Sequence, residues 1–357
     1  MKQSFRNIGM NLLVTGSGGL IGSESVRLFS EKGFKAYGID NDMRGYFFGN
    51  EGSTRWNFEK LQSDVPGYTH YDVDVRNRDA VEAIFKQKKF DLIIHAAGQP
   101  SHNWSAKDPL TDFGINATGT LIMLENMRKY CPDAVFIFTS SSKVYGDMPN
   151  KLQLVEYETR FDLEKEDRFY EGIDETVPFD QKGHTIYGVS KLAADALVKE
   201  FGEYYGLRTV CFRPNCMTGP AHSSSSMHGF LSYLTKTIVS GNKYFINGYK
   251  GKQVRDNIHA HDLVNAFYHF SQNPRSGEIY NIGGSRHSNV SILEAIKLIE
   301  DISGKKADIE YKHENQKADH IWYISDIRKF RSHYPEWDFE FTIEDIISDI
   351  IRSSKER

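Results

Sequence analysis

The chain has 357 residues, 44 Lys and Arg against 48 Asp and Glu, and a net charge of −4. At about 150 residues per domain this is roughly two domains with a sizeable core, which excludes a small stapled module. With no basic tail and no run of one sign, nothing electrostatic recruits nucleic acid or an anionic membrane, and the longest apolar stretches are too short to span a bilayer.

In chain order, a polar start leads into a short apolar run over residues 11–15, and the glycines after it continue a strand-turn-helix pattern rather than forming a signal cleavage site. Cytoplasmic residence is the default expectation. A helical stretch with Val26, Leu28 and Phe29 follows, then a second strand over 36–39 ending at Asp40. Residues 92–97, 135–139 and 209–212 are further near-continuous apolar runs, the signature of strands buried on both faces. The expected fold class is α/β, a doubly wound parallel sheet, over residues 10–218. Residues 147–184 form a long polar connection, read as a surface insertion. Beyond 218 the rhythm loosens, predicting a smaller lobe over 219–357 that mainly binds substrate, with segments crossing back to the first domain. Within it, Ser291 and Glu294 form a capping box, and Gly304 stops the helix they open. Cys131, Cys211 and Cys216 are too few and too scattered for a disulfide framework or a zinc site, so reduced thiols and no metal are expected.

Gly16-Ser17-Gly18-Gly19-Leu20-Ile21-Gly22 sits directly after one strand and opens one helix. Gly16 permits the tight turn, Gly19 lets the backbone approach a pyrophosphate, Gly22 allows close helix packing, and the helix N-terminus supplies amide donors. Asp40, at the end of the next strand, can bind ribose hydroxyls and would repel a 2′-phosphate, which favours NAD over NADP. Tyr187 and Lys191 stand at i and i+4, one face of a helix. A tyrosine base near neutral pH needs its pKa lowered by about 3 units, and an adjacent ammonium supplies part of that.

The spacing of Gly16, Gly19 and Gly22, with Tyr187-Gly188-Val189-Ser190-Lys191 downstream, resembles the extended, nucleotide-sugar-modifying branch of the short-chain dehydrogenase/reductase superfamily, and the resemblance covers almost the whole chain. It implies NAD contacts from Leu20 and Ile21 in the turn, from Asp40 and Asn41, from Asp74-Val75 at the adenine, and from Ala96, Ala97 and Gly98 after the fourth strand. Asn116, Thr139 and Pro214 are implied further contacts, with Asn116 either structural or on the proton path. Ser141, four before the Tyr of Val144-Tyr145-Gly146, is the implied hydroxyl partner of Tyr187 and Lys191. Arg255, in the run from Val254 to Asp262, is the implied diphosphate ligand, with Asn215 beside it on the substrate side; the alternative for Arg255 is an ion pair with Asp256 or Asp262. Gln99, Ser101 and His102, in the loop Gln99-Pro100-Ser101-His102-Asn103-Trp104, are candidate sugar contacts.

The chain departs from the branch's dehydratases at Ser142 and Lys143, where those enzymes carry the Asp and Glu that drive water elimination. It departs again at Gln316, where many members carry a second diphosphate Arg and where Lys317 is the substitute. Stretches 142–147, 251–256 and 280–284 are similar to those of a subgroup of 2-epimerases acting on CDP-sugars. The resemblance thus implies an NAD-dependent nucleotide-sugar epimerase acting by transient oxidation. Alternatives are a UDP- or dTDP-sugar 4-epimerase, a reductase, and a non-catalytic NAD sensor. Helices near 105–129 and 187–205 carry apolar residues enough for the branch's helix-bundle homodimer.

Overall fold

The computed structural model describes residues 9–179, 183–223, 229–312 and 319–355. Two compact units divide the chain, each assembled from three separate segments.

The first unit, residues 1–141, 186–213 and 263–280, holds a seven-stranded sheet. Its order runs from Glu278–Ile282 through Arg208–Pro214, Val135–Thr139, Leu92–His95, Asn11–Thr15 and Lys35–Ile39 to Thr69–Tyr71. The pairings of Asn11–Thr15 with its two neighbours are parallel, Leu12 lying opposite both Ala36 and Leu92. Leu92–His95 and Val135–Thr139 are buried from end to end, which explains their unbroken apolar runs. The edge strand Thr69-His70-Tyr71 is only half-buried, and its polar composition hides it in the sequence. Helix Leu20–Glu31 buries Ile21, Val26, Leu28 and Phe29.

The helical stretch expected near 105–129 is broken in three. Pro109 begins a short helix, Pro109–Phe113, with Asp108 capping it by accepting from Thr111 N at 3.1 Å. A wide π turn, Gly114–Thr118, follows before Gly119–Tyr130.

The second unit comprises residues 142–185, 214–262 and 281–357. Its four-stranded sheet is built from strands of two to six residues, Cys216–Thr218, Val254–His259, Asn289–Ser291 and Trp322–Tyr323, too short for any periodicity to register. A separate core gathers Leu231, Leu234, Ile238, Ile299, Ile346 and Ile347 between helices Phe230–Val239, Ile292–Ser303 and Ile343–Lys355. The capping box is present: Ser291 Oγ accepts from Glu294 N at 3.1 Å and Glu294 Oε2 accepts from Ser291 N at 2.9 Å, with Gly304 left-handed at φ 68°.

The polar connection 147–184 is not a free surface loop where it is described. Its hairpin, Val155–Glu156 with Phe161–Asp162, carries Arg160, which donates to both oxygens of the same Glu294. Asp162 accepts from Arg286 at 2.8 Å and from the Trp322 indole at 2.9 Å. All three cysteines are free thiols.

Ile346 is fully buried in the second core. Replacing Ile346 by Ala should lower stability by about 2–5 kcal/mol, read as a shift of the urea midpoint.

Candidate active site

The glycine turn is built as its sequence requires. Gly16 is left-handed at φ 68°, and a Cβ there would sit 2.8 Å from Ala97 N. A Cβ at Gly22 would lie 2.0 Å from Gly16 O, so no other residue lets helix and turn approach this closely. Gly19 is the N-cap, no side chain caps the helix, and no acid stands in its first turn. Its leading amides are therefore open to an anion.

Asp40 Oδ2 accepts from Gly18 N at 2.8 Å and its Oδ1 from Asp42 N at 2.8 Å, while burial pushes its carboxyl above the usual range. Asn41 donates to Asp74 at 3.2 Å, and the Arg76 side chain donates to both oxygens of the same carboxylate. Across the turn, Asn57 donates to Gly18 O at 2.8 Å.

Helix Ile186–Tyr205 presents Tyr187 and Lys191. Ser141 hydrogen-bonds the Tyr187 hydroxyl, so the predicted pair is brought together. Lys191 Nζ donates to Thr139 O at 2.6 Å and lies 4.2 Å from the centre of the Phe138 ring. Burial pushes the phenol of Tyr187 up to about 12 and the amine of Lys191 down to about 8. The expected depression of the Tyr187 pKa by Lys191 is therefore not what this arrangement gives. Burial dominates, and the charge acting on the phenol is that of Asp112, which raises it further.

The loop after the fourth strand is fixed by Asn116. Asn116 Oδ1 accepts from Gln99 N at 2.9 Å, and its Nδ2 donates to Gln99 O at 3.1 Å and to Ser190 Oγ at 3.0 Å. Gln99 and Ser101 are buried, whereas His102 begins helix His102–Lys107 with its ring edge-on to Tyr187, centroids 5.0 Å apart. Gly98 sits close by: a Cβ there would meet Asn116 Oδ1 at 3.1 Å. His95 is wholly buried between the hydroxyls of Thr15, at 2.6 Å, and Thr120, at 3.0 Å.

In the second unit, Arg255 pairs with Asp319 at 2.5 Å rather than with Asp256 or Asp262. Those two are occupied elsewhere: Asp256 accepts from Ser285 N, Ser325 N and Asn215 Nδ2, and Asp262 from Glu340 N. Asn215, next after Pro214, also accepts from Ser142 Oγ at 3.0 Å. Lys143 faces Asp319, Arg255 and Cys216, and burial lowers its amine to about 8. His259 stacks on Phe341 at 3.9 Å, a packing role. Gln316 and Lys317 lie outside the described residues. Among the described residues no group of His, Cys, Asp and Glu could hold a metal ion, and no helix is long and apolar enough to cross a membrane.

A model of the NAD dependent epimerase/dehydratase family matches residues 12–283. The chain belongs to that family. CDP-paratose 2-epimerase of Salmonella typhi is 31% identical to it, over 90% of this chain and 92% of the relative. UDP-glucuronate 4-epimerase of Thermodesulfobacterium geofontis is 27% identical over 96% of each. The UDP-glucose 4-epimerase structure from Thermotoga maritima, with UDP-glucose, superposes with a TM-score of 0.79 at 23% identity, covering 97% of this chain and 99% of that one.

As a member of the epimerase/dehydratase family the chain is an enzyme of an NAD-dependent, nucleotide-sugar-modifying group. Its residues fit that cofactor. The uncapped helix terminus and glycine cradle suit a pyrophosphate, Asp40 suits a ribose diol, and the buried Thr139 hydroxyl has no partner of its own. Sequence reasoning missed Asp112 and the partner that Asp319 makes for Arg255. Asp112 stands four before Asn116, a spacing that could have marked it; Asp319, 64 residues from Arg255, is marked by the element that Gln316 opens, but its pairing with Arg255 is not.

Burial, and then the charge of Lys191, lowers the pKa of His95 to about 3. The unfolded chain thus binds a proton between about pH 6.5 and pH 3 that the folded chain does not, so stability falls as pH drops through that window by up to ~1.4 kcal/mol per unit. Replacing His95 by Gln should flatten this part of the acid limb in urea titrations at successive pH values.

Proposed function

We propose that this enzyme is a nucleotide-sugar epimerase acting by transient oxidation, with CDP-paratose and CDP-tyvelose interconverted at C2. The observation carrying this reading is the end-to-end similarity to the Salmonella typhi CDP-paratose 2-epimerase. Ser142 and Lys143 add to it, because they leave no acid and base where water elimination would need them. A UDP-sugar 4-epimerase is the second reading, favoured by relatives of that activity at 28% and 27% identity. The cytoplasm is the expected compartment.

NAD, when bound, supplies the hydride acceptor and later donor, and its positive nicotinamide favours a nearby phenolate. Tyr187 then removes the proton of the reacting hydroxyl through its own oxygen, and Ser141, already bonded to that oxygen, orients the substrate. Lys191, anchored on Thr139 O, presents a cation to the ribose side. Arg255 is a planar two-pronged donor for the diphosphate, releasing Asp319 as it takes the ligand. That tether would keep the sugar nucleotide bound while its sugar presents the other face. Gln99 and Ser101 turn their polar groups inward on their own loop, leaving the half-buried His102 as the member of the three nearest Tyr187 for a sugar contact.

Proton NMR of the purified enzyme with CDP-paratose and no added cofactor should show a second anomeric signal growing to an equilibrium ratio. Conversion of UDP-sugars alone would replace the CDP-sugar reading with the second one. Tyr187→Phe should keep NAD and lose about 10²–10⁴ in turnover.

The homodimer is part of the same proposal. Phe113 and Leu121 are exposed, and with Ala117, Ala193, Ala196 and Leu197 they line an apolar groove between helices Gly119–Tyr130 and Ile186–Tyr205. A second copy of that helix pair is the occupant that would bury these groups. Leu121→Glu should shift the sedimenting species from dimer to monomer; a wild-type monomer would overturn the assignment.

A further inference from the structure

Asp112 takes no part in the steps above, yet it lies at the centre of the site's polar interior. It is 1% exposed. Its Oδ1 accepts from Gln99 Nε2 at 2.7 Å and from Asn116 Nδ2 at 3.2 Å. The hydroxyl of Ser190, which donates to the carbonyl of Tyr187 at 3.0 Å, faces the same carboxyl. One side chain therefore holds a loop on one side and the catalytic helix on the other.

The loop arm can be followed bond by bond. The Gln99 amide is turned back on its own chain, its Nε2 also donating to Ser101 O at 2.8 Å and its Oε1 accepting from Ser101 N at 2.6 Å. That closes the loop into a tight ring. Ser101 Oγ then caps the next helix by accepting from Trp104 N at 3.3 Å. His102 is the first residue of that helix, and its ring is the one set edge-on to Tyr187. On the other arm, Ser190 lies between Tyr187 and Lys191 in sequence and receives Asn116 Nδ2 at 3.0 Å.

A buried carboxyl is a costly way to hold a fold together, since its desolvation offsets much of what its hydrogen bonds contribute. A charged acceptor does offer stronger and more directional bonds to two amides than a neutral one. Directional bonds matter most where a displacement of about 1 Å in a reacting group can cost about 10²-fold in rate.

We propose that Asp112 is a positioning residue of the proton-transfer site: through Gln99 it seats the His102 ring against Tyr187, and through Asn116 and Ser190 it fixes the helix that carries Tyr187 and Lys191. The rate effect rests on the reading of Tyr187 as the base; the geometry does not.

The test measures kcat, KM and bound NAD for Asp112→Ala, Asp112→Asn, Gln99→Ala and the double variant Asp112→Ala with Gln99→Ala, on whichever sugar nucleotide the wild type converts. Asp112→Ala should lose about 10- to 100-fold in kcat with KM within about threefold and NAD content unchanged. Asp112→Asn keeps an oxygen acceptor and should recover to within about fivefold of wild type. Gln99→Ala should reproduce the part of the loss that runs through the loop, and the double variant should be no worse than Asp112→Ala alone, because that substitution already cuts the arm through Gln99. The second readout needs no substrate: the His102 ring-proton shifts carry the ring current of Tyr187, and they should move to solvent-exposed values in Asp112→Ala and Gln99→Ala. Wild-type kcat in folded Asp112→Ala, strictly additive losses, or unchanged His102 shifts would each overturn the proposal. If Asp112→Ala does not fold, Gln99→Ala decides by the same criteria. A wild type that turns over no CDP-sugar, with His102 shifts that still respond, sinks the substrate reading and leaves this one standing.

Discussion

Backbone meets backbone where the first helix enters the glycine turn, and the rest of the site is arranged around that contact. With a methyl at Gly22 only 2.0 Å from Gly16 O, the approach tolerates no side chain. Closeness there aims the helix axis at the turn and leaves the leading amides uncapped, which gives the partial positive charge that a pyrophosphate needs. The neighbouring strands inherit their roles from this geometry. Lys35–Ile39 delivers Asp40 to Gly18 N on one side, and Leu92–His95 delivers Ala96 and Ala97 to Gly16 on the other.

Around that turn the interior is more polar than a packed core requires, and its charged groups are paired. Arg213 and Asp195, both at most 2% exposed, pair at 2.7 Å and join the strand Arg208–Pro214 to helix Ile186–Tyr205. Ser140 donates to the same Asp195, so the residue before Ser141 is tied to that helix as well. Cutting one member of such a pair leaves a buried charge uncompensated, at a cost of about 3–5 kcal/mol. His95 and Lys191 show the opposite solution, in which burial biases each toward its neutral form. The lowered amine of Lys191 and the raised phenol of Tyr187 describe a site whose proton equilibria are set by dryness before any ligand charge is added.

The first unit was legible because its signals are local. Apolar runs, the glycine spacing and Tyr187 with Lys191 all fall within a single element, and four-residue or longer strands keep a readable composition. Thr69–Tyr71 was hidden because an edge strand exposed on one side need not be apolar. The break at Pro109 was readable in principle, since a proline forbids the helix that was expected through it. The second unit was opaque for a physical reason: its sheet sets two- and three-residue strands around one of six, and their hydrogen bonds come from distant partners, such as Arg255 opposite Tyr323. Side-chain networks were the least visible. Nothing in the sequence links Gln99 to Asp112 or Arg255 to Asp319, because a polar side chain's partner is decided by the fold and not by its neighbours in the chain.

Both units are woven from the same thread. With first-unit segments 1–141, 186–213 and 263–280 alternating with second-unit segments 142–185, 214–262 and 281–357, the backbone changes unit five times. A single cut can keep the segments of one unit together, after residue 141 or after residue 280, only by dividing the other. A gene fragment, a proteolytic product or a stalled nascent chain ending anywhere before residue 263 would lack Glu278–Ile282, an edge of the larger sheet, and would lack helix Ile343–Lys355 from the second core. Neither unit, then, is made without part of the other: the last segment of the first unit follows two of the three segments of the second.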